Sequence, residues 1–320
     1  MERTIQVNGG EPVSKGAGRL RKRVKKALRN WELYALISPV LVFFILFEYF
    51  PMYGVQIAFK DFIATKGIWG SPWAGLKHFE RFMQGFYFNR LMINTIAISL
   101  YHLALSFPLA IFLALMMNEV RHSLLRRTVQ TITYAPHFIS VVVLVGMMTV
   151  FLSPQTGLVN QFLGLMGVPR VDFMAEAAWF KSLYVLSGVW QNTGWSSIIF
   201  IAALAGVDPQ QHESAMLDGA SRWQRIWHVN IPGIMPTIII LLILECGKIM
   251  TVGFEKAFLM QNDMNIAASD VIATHVYRSG ILGAQYSFAA AVGLFNAVIN
   301  LVLLLTVNRI SRKVTATSLW

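Results

Sequence analysis

Six stretches of this chain are each long and apolar enough to cross a lipid bilayer, and no other feature narrows its possible folds so far. Covering ~30 Å of hydrocarbon takes about 20 mostly apolar residues in a helix. The candidates run Leu33–Phe50, Leu91–Met117, Thr131–Leu152, Leu183–Leu204, Pro236–Val252 and Ser287–Val307. Hydrocarbon offers no partner to a backbone N–H or C=O, so apolar segments of this length must be helices. The expected class is therefore an all-α membrane protein with six transmembrane helices. The first segment is too long at its basic end for a signal peptide and lacks a small-x-small cleavage site, so it counts as a span. Pro39, Pro108 and Pro136 fall inside or near spans, where neighbouring helices can satisfy the freed carbonyls.

Charge placement sets the sidedness. Only 13% of residues are charged, against roughly 25% in soluble domains, which excludes extended disorder and an ordinary globular surface. One cysteine, Cys246, excludes an internal disulfide. The net charge of +11 could suggest nucleic acid, but the basic residues crowd into Lys15–Arg29, just before the first span. There Leu20, Val24, Ala27, Leu28 and Trp31 share one helical face. The run reads either as a helix lying on anionic headgroups or as a solvated tail that sets topology; residues before Gly16 read as disordered. Arg121, Arg126 and Arg127 follow span two, Arg222 and Arg225 span four, and Arg309, Arg312 and Lys313 span six. Lys and Arg are retained on the cytoplasmic side, so both termini are expected there. The alternate loops, Pro51–Arg90, Ser153–Lys181 and Gly253–Gly283, face outward. Their aromatics Trp69, Trp73, Phe82, Phe86 and Tyr87 suit a membrane interface or a docking partner.

The segment Val207–Pro232 between spans four and five is far too long for a tight turn. Asp208 is a good N-cap, Pro209 suits the first helical position, and Gln211 stands where a capping-box partner belongs. Gly219 can take the left-handed conformation that ends this helix. Ser221 then caps a second helix with Gln224 three residues on, and Pro232 is expected to stop it. Trp223, Ile226 and Trp227 form an apolar ridge. A protein-docking hairpin and a plain surface hairpin are both compatible with this pattern. DNA binding is disfavoured, because Asp208, Glu213 and Asp218 offset Arg222 and Arg225.

Glu213-Ser214-Ala215, then Asp218-Gly219-Ala220, then Val229-Asn230-Ile231-Pro232 resembles the EAA loop of ATP-binding-cassette importer permeases. That signature is Glu-Ala-Ala, three residues, Gly, nine residues, then Ile-x-Leu-Pro, and the spacing matches throughout. Ser214, Val229 and Ile231 are conservative departures, and His212 stands where sugar permeases often have tyrosine. The resemblance extends to Trp190–Trp195 with Ile198–Leu204, and to Gly253–Lys256, Asp270–Ile272, Tyr277-Arg278 and Tyr286–Phe288. These resemble the maltose-type, binding-protein-dependent sugar permeases, in the branch importing oligosaccharides such as aldouronates. The resemblance implies a type I importer permease fold, with a basic N-terminal segment (1–30), a permease domain (31–313) holding the coupling loop at 207–236, and a cytoplasmic tail (314–320). It further implies a cell-membrane location and four kinds of partner: a second homologous permease, a cytoplasmic ATPase dimer, an external sugar-binding protein and a carbohydrate cargo. Glu213, Ser214, Ala215, Asp218, Gly219, Trp223 and Pro232 would form the ATPase-coupling surface. Glu213 would pair with a basic group there, Ala215 and Gly219 would keep the face thin, and Asp218 would cap locally or orient Arg222.

Polar residues inside the spans are the candidates for a substrate pathway. Glu245 and Lys248 are expected near the bilayer centre, about 13 Å in from Pro236 at ~1.5 Å per residue. Each charge there costs ~2.5–3.5 kcal/mol on insertion scales, so the pair must face the bundle interior or water. It either locks helix register or lines the pathway. Asn192 and Thr193, with Gln191 beside them, and Asn296 and Asn300 supply hydrogen-bonding groups; Trp190 and Trp195 supply flat faces for sugar C–H surfaces. Interhelical hydrogen bonding is the competing role for each of these. Asn94 and His102 read as packing residues. No phosphate-binding G-x-x-x-x-G-K-[ST] loop, metal cluster or catalytic motif occurs, so no cofactor is expected and the ATPase must be borrowed. An ion-coupled secondary transporter and a membrane-embedded enzyme are the alternative classes.

Overall fold

The structure is a computed structural model that describes residues 30–315 and 317–320. The basic run Lys15–Arg29 and the stretch before Gly16 lie outside the described residues. The chain divides into two compact units after Gln56. In the first, α1 (Trp31–Phe44) continues through a π-helical turn at Ile45–Tyr49 into Phe50–Met52.

The second unit is helical among its described residues, apart from a single antiparallel bridge between Lys60 and Trp73. Besides the short helices Gly67–Gly70, Leu158–Leu165 and Ile266–Ser269, it contains α2 (Lys77–Met83), α3 (Phe88–Glu119), α4 (Ser123–Tyr134), α5 (Val141–Phe151) and α6 (Ala177–Leu204). Then come α7 (Pro209–Leu217), α8 (Arg222–Arg225), α9 (Ile231–Cys246), α10 (Phe254–Met260), α11 (Ile272–Val276) and α12 (Tyr286–Thr315). The central pairing is α3 against α6. Leu91, Asn94, Thr95 and Ile98, then Ala110, Ala114 and Leu115, give α3 a buried stripe at helical spacing. Small residues let neighbours close in: a Cβ at Gly194 of α6 would lie 2.1 Å from the Thr133 carbonyl of α4. Three apolar clusters fill the unit. One joins Ile98, Leu144, Val145, Phe180 and Val185; a second joins Ala114, Phe200, Leu204, Ile226 and Ile234; a third joins Phe82, Leu91, Ile272, Phe288 and Val292.

Among the described residues, four helices meet the length and apolarity of a membrane span, or five with a bent pair. Helix α6 has 28 residues, about 42 Å at 1.5 Å each, but Gln191, Asn192, Thr193, Ser196 and Ser197 dilute its hydropathy.

Two expectations require correction. The third span is not one rod: Ser123–Phe138 and Val141–Phe151 meet at 98°. Pro136 has no N–H to give and crowds the preceding turn, so the chain tightens into a 3₁₀ turn at Ala135–Phe138. It then extends through Ile139 and restarts at Ser140, whose hydroxyl accepts from the Val143 N–H at 3.3 Å. Nor does Pro232 stop the second loop helix. A π-helical turn at Ile226–Asn230 joins α8 to α9, giving one helical run Arg222–Cys246 with Pro232 and Pro236 inside it. The run ends at Cys246, so Glu245 lies in its last turn rather than at its middle, and Lys248 lies beyond it in a turn.

Candidate functional site

The first candidate surface is the segment between α6 and α9, whose shape follows from local chemistry. The Asp208 carboxylate accepts from the Gln210 N–H at 2.9 Å and opens α7 with Pro209 behind it; Gln211 does not return a side-chain bond. Gly219 has φ +79°. With it, the Ala220 N–H reaches the Ala215 carbonyl at 2.9 Å and the Gly219 N–H reaches Met216 at 3.1 Å, the paired bonds of a Schellman end. No atom of this chain lies within 4 Å of a Cβ built at Gly219, so within the chain its requirement is the positive φ. Ser221 and Gln224 form a reciprocal capping box at the start of α8.

This hairpin presents Glu213, Ser214, Asp218, Gly219, Trp223 and Pro232 as exposed residues, with Ala215 half-buried. Asp218 stands at the C-cap of α7, and among the described residues it makes no ion pair with Arg222. Of its two expected roles, local capping and orienting Arg222, the geometry favours the first. The apolar ridge divides. Ile226 is buried in the second cluster, whereas Trp223 and Trp227 are 61% and 64% exposed and Leu217 is 89% exposed.

The second candidate is a groove assembled from distant segments. Two adjoining cavities of about 420 Å³ each share His102, Leu103, Asn192 and Glu245. Helices α3, α6 and α9 and the stretch Lys248–Lys256 wall them. Lys248 donates to the Glu245 carboxylate at 3.3 Å. The Asn192 amide oxygen accepts from His137 Nδ1–H at 3.0 Å, and its amide nitrogen donates to the Gly188 carbonyl at 3.1 Å. His137 stacks on Trp195 with centroids 4.4 Å apart. Gln191 donates to the Ile139 carbonyl at 2.7 Å and so holds the kink of the third span.

At one end of the groove, Lys256 donates to the Tyr184 carbonyl at 2.7 Å and sits 4.7 Å over that ring. Burial lowers its pKa to about 8. Its ammonium and the His102 ring both converge on the bare Cα of Gly188. Neither residue stood out in the sequence as a pathway group. For His102 the signal was present, because Ser99, His102 and Ser106 recur at helical spacing on α3 and all line the groove.

The remaining pathway candidates go elsewhere. Trp190 and Thr193 line a separate groove with Leu109, Phe112 and Pro136, and Thr193 bonds its own helix at Val189. Asn300 accepts from the Met250 N–H and donates to the Thr251 hydroxyl, both at 3.0 Å, pinning the turn after α9 to α12. Asn296 lines neither cavity of the groove, and its buried amide oxygen has no hydrogen-bond partner among the described residues. Asn94 donates to the carbonyls of Ala267 and Asp270, the packing role expected of it.

Comparison with known proteins identifies the chain's relatives. Residues 106–316 match the family described as binding-protein-dependent transport system inner membrane component. Protein LplB of Bacillus subtilis (strain 168) is 41% identical over 285 residues, spanning 89% of this chain and 90% of that protein. The polygalacturonan/rhamnogalacturonan transport system permease protein YteP of the same organism is 40% identical, spanning 92% of each. A crystal structure of a bacterial ABC transporter involved in import of the acidic polysaccharide alginate superposes with a TM-score of 0.85 at 42% identity. It covers 92% of this chain and 99% of that one.

Proposed function

The chain belongs to the family of binding-protein-dependent transport system inner membrane components, and on that premise we propose that it carries an oligosaccharide, with carboxylated sugars the favoured cargo, through the groove beside Glu245. It is a multi-pass permease subunit of an ATP-binding-cassette importer in the cell membrane, and it has no ATPase of its own. It works with a second permease, an ATPase and an external binding protein. The cargo reading is supported by relatives named for polygalacturonan/rhamnogalacturonan transport and alginate import. The six-span count with both termini cytoplasmic, the permease domain at 31–313 and the coupling loop at 207–236 belong to the same proposal.

One observation carries the mechanism. The hairpin holding Glu213 and Trp223 is rigidly capped at both of its helices, exposes large apolar residues, and runs without a break into α9. A lever of that kind transmits movement of a docked ATPase to the last turn of α9, where Glu245 faces the groove. Helix packing is bistable rather than continuously deformable, so a tilt at one end switches the other. Glu213 pairs with a basic group of the ATPase, and Ala215 and Gly219 keep the contact face thin.

The test is ATP-dependent uptake by proteoliposomes holding the full importer and its binding protein, with an oligogalacturonate as probe. Uptake that needs both ATP and the binding protein supports the reading. Uptake that instead follows an imposed ion gradient contradicts it.

A further inference from the structure

A cleft of about 320 Å³ lies outside the groove, between α2, the start of α3, the segment after α11 and the start of α12. Its floor is aromatic, with Phe82 and Phe288 packed edge to face and Tyr87 46% exposed at the side. Its rim is polar: Arg81, His275, Ser279 and Gln285. Arg81 donates to the Gln285 amide oxygen at 2.8 Å and lies 4.9 Å over the Phe288 ring. Among the described residues it forms no ion pair, so most of its five N–H donors and its whole charge remain available.

The surroundings add positive charge. Buried Asp270 is shared by two arginines, Arg90 at 3.2 Å and Arg278 in closer contact. Burial, as the leading cause, holds the His275 pKa below its usual value, so the imidazole adds donors and acceptors but little charge. Arg90 and Arg278 thus share the Asp270 carboxylate, while Arg81, which lines the cleft itself, has no carboxylate among the described residues. In the proposed topology this cleft is on the outer side, where loops are normally depleted of Lys and Arg. Arg90 and Arg278 are accounted for by Asp270, but topology gives no reason for Arg81 here, whereas an anionic ligand would.

We propose that this cleft is an outer subsite for one uronic-acid unit of the cargo, with Arg81 taking its carboxylate. A guanidinium matches a carboxylate with two parallel hydrogen bonds. Tyr87, 46% exposed, offers the free part of its ring to the sugar's C–H surface while Arg81 lies over the buried Phe288, and Ser279, His275 and Gln285 take hydroxyls. A concave, ring-floored cleft suits a single sugar better than the side chain of a docked protein. The inference rests on the proposed oligosaccharide function and deepens it, assigning the acidic sugar a place of first contact.

The experiment is titration calorimetry on the complete importer in lipid nanodiscs, with trigalacturonate and its neutral methyl ester as probes. The expected result is at least ten-fold tighter binding of the acid, lost in Arg81→Gln and partly kept in Arg81→Lys, with unchanged thermal stability. An Arg81→Gln importer that still prefers the acid overturns the subsite. So does a variant that binds both probes normally and loses only stimulation by the binding protein, because the carboxylate then belongs to that protein. Wild-type uptake of trigalacturonate without any effect of Arg81 removes this inference alone. A wild-type importer that neither binds nor takes up either probe removes the proposed cargo as well.

Discussion

The hairpin at Asp208–Asn230 and the groove around Glu245 are joined by one helix, yet they are built on opposite principles. The turns and caps of the hairpin are local, although Ile226 anchors its second helix in the second apolar cluster. Asp208 caps two residues away, Gly219 closes α7 against Ala215 and Met216, and Ser221 and Gln224 cap each other. The groove has almost no local logic. His102, Asn192, Glu245 and Lys256 come from four elements and meet only because α3 and α6 pack closely and α9 ends where it does. A docking lever must keep its shape with much of its surface exposed, and short-range caps provide that. A cavity must be reshaped during transport, and long-range packing leaves that possible.

Breaking the hairpin should therefore abolish transport without unfolding the protein. Glu213→Lys is expected to cut uptake by at least 100-fold and remove substrate-stimulated ATPase activity, with the melting curve of the purified complex unchanged. Unaltered stimulation would separate the hairpin from coupling.

At the groove, Lys256 offers a stability signal that the hairpin lacks. Burial holds its folded pKa at about 8, below the ordinary lysine value of 10.5. Between those values the unfolded chain binds more protons, so stability rises with pH across that window. Below about pH 8 both states are protonated and the penalty is at its full size. The shift corresponds to about 3 kcal/mol. Thermal melts from pH 8 to 10.5 should show the rise in wild type and not in Lys256→Met.

Asn300→Ala probes the long-range packing that ends α9. It leaves the buried Met250 N–H without its acceptor and should cost about 1–3 kcal/mol, seen as a lower melting temperature. Substrate affinity should change less than for Glu245→Gln. The smallest effect belongs to Asp208→Ala, at about 1 kcal/mol for a lost cap. It should appear as faster amide exchange confined to α7, and exchange rising equally in α6 and α9 would contradict the local character of the hairpin.

The same contrast explains what the sequence made legible. Caps, glycine conformation and spacing disclosed the hairpin because each depends on residues two to five positions apart. The apolar runs disclosed the long helices for a similar reason. Helix ends inside the membrane were harder to read. Pro136 and Pro232 look alike in sequence, yet one opens a 98° bend and the other is absorbed by a π-helical turn. What differs is the packing around them. The roles of polar residues within spans were hardest of all. Asn192 reaches the groove while Thr193, its neighbour, turns to another face, and Asn300 is consumed by the turn it pins. Helical phase separates such residues only once the partners of each face are known.

The central claim is that the Glu213–Trp223 surface seats in an ATPase and drives α9. The direct measurement is site-specific cross-linking from cysteine placed at Leu217, which is 89% exposed, in the otherwise intact importer. The account predicts a cross-link to the ATPase subunit whose yield changes between the nucleotide-free and ATP-bound states. Cross-links only to lipid or to the other permease, in both states, would contradict it.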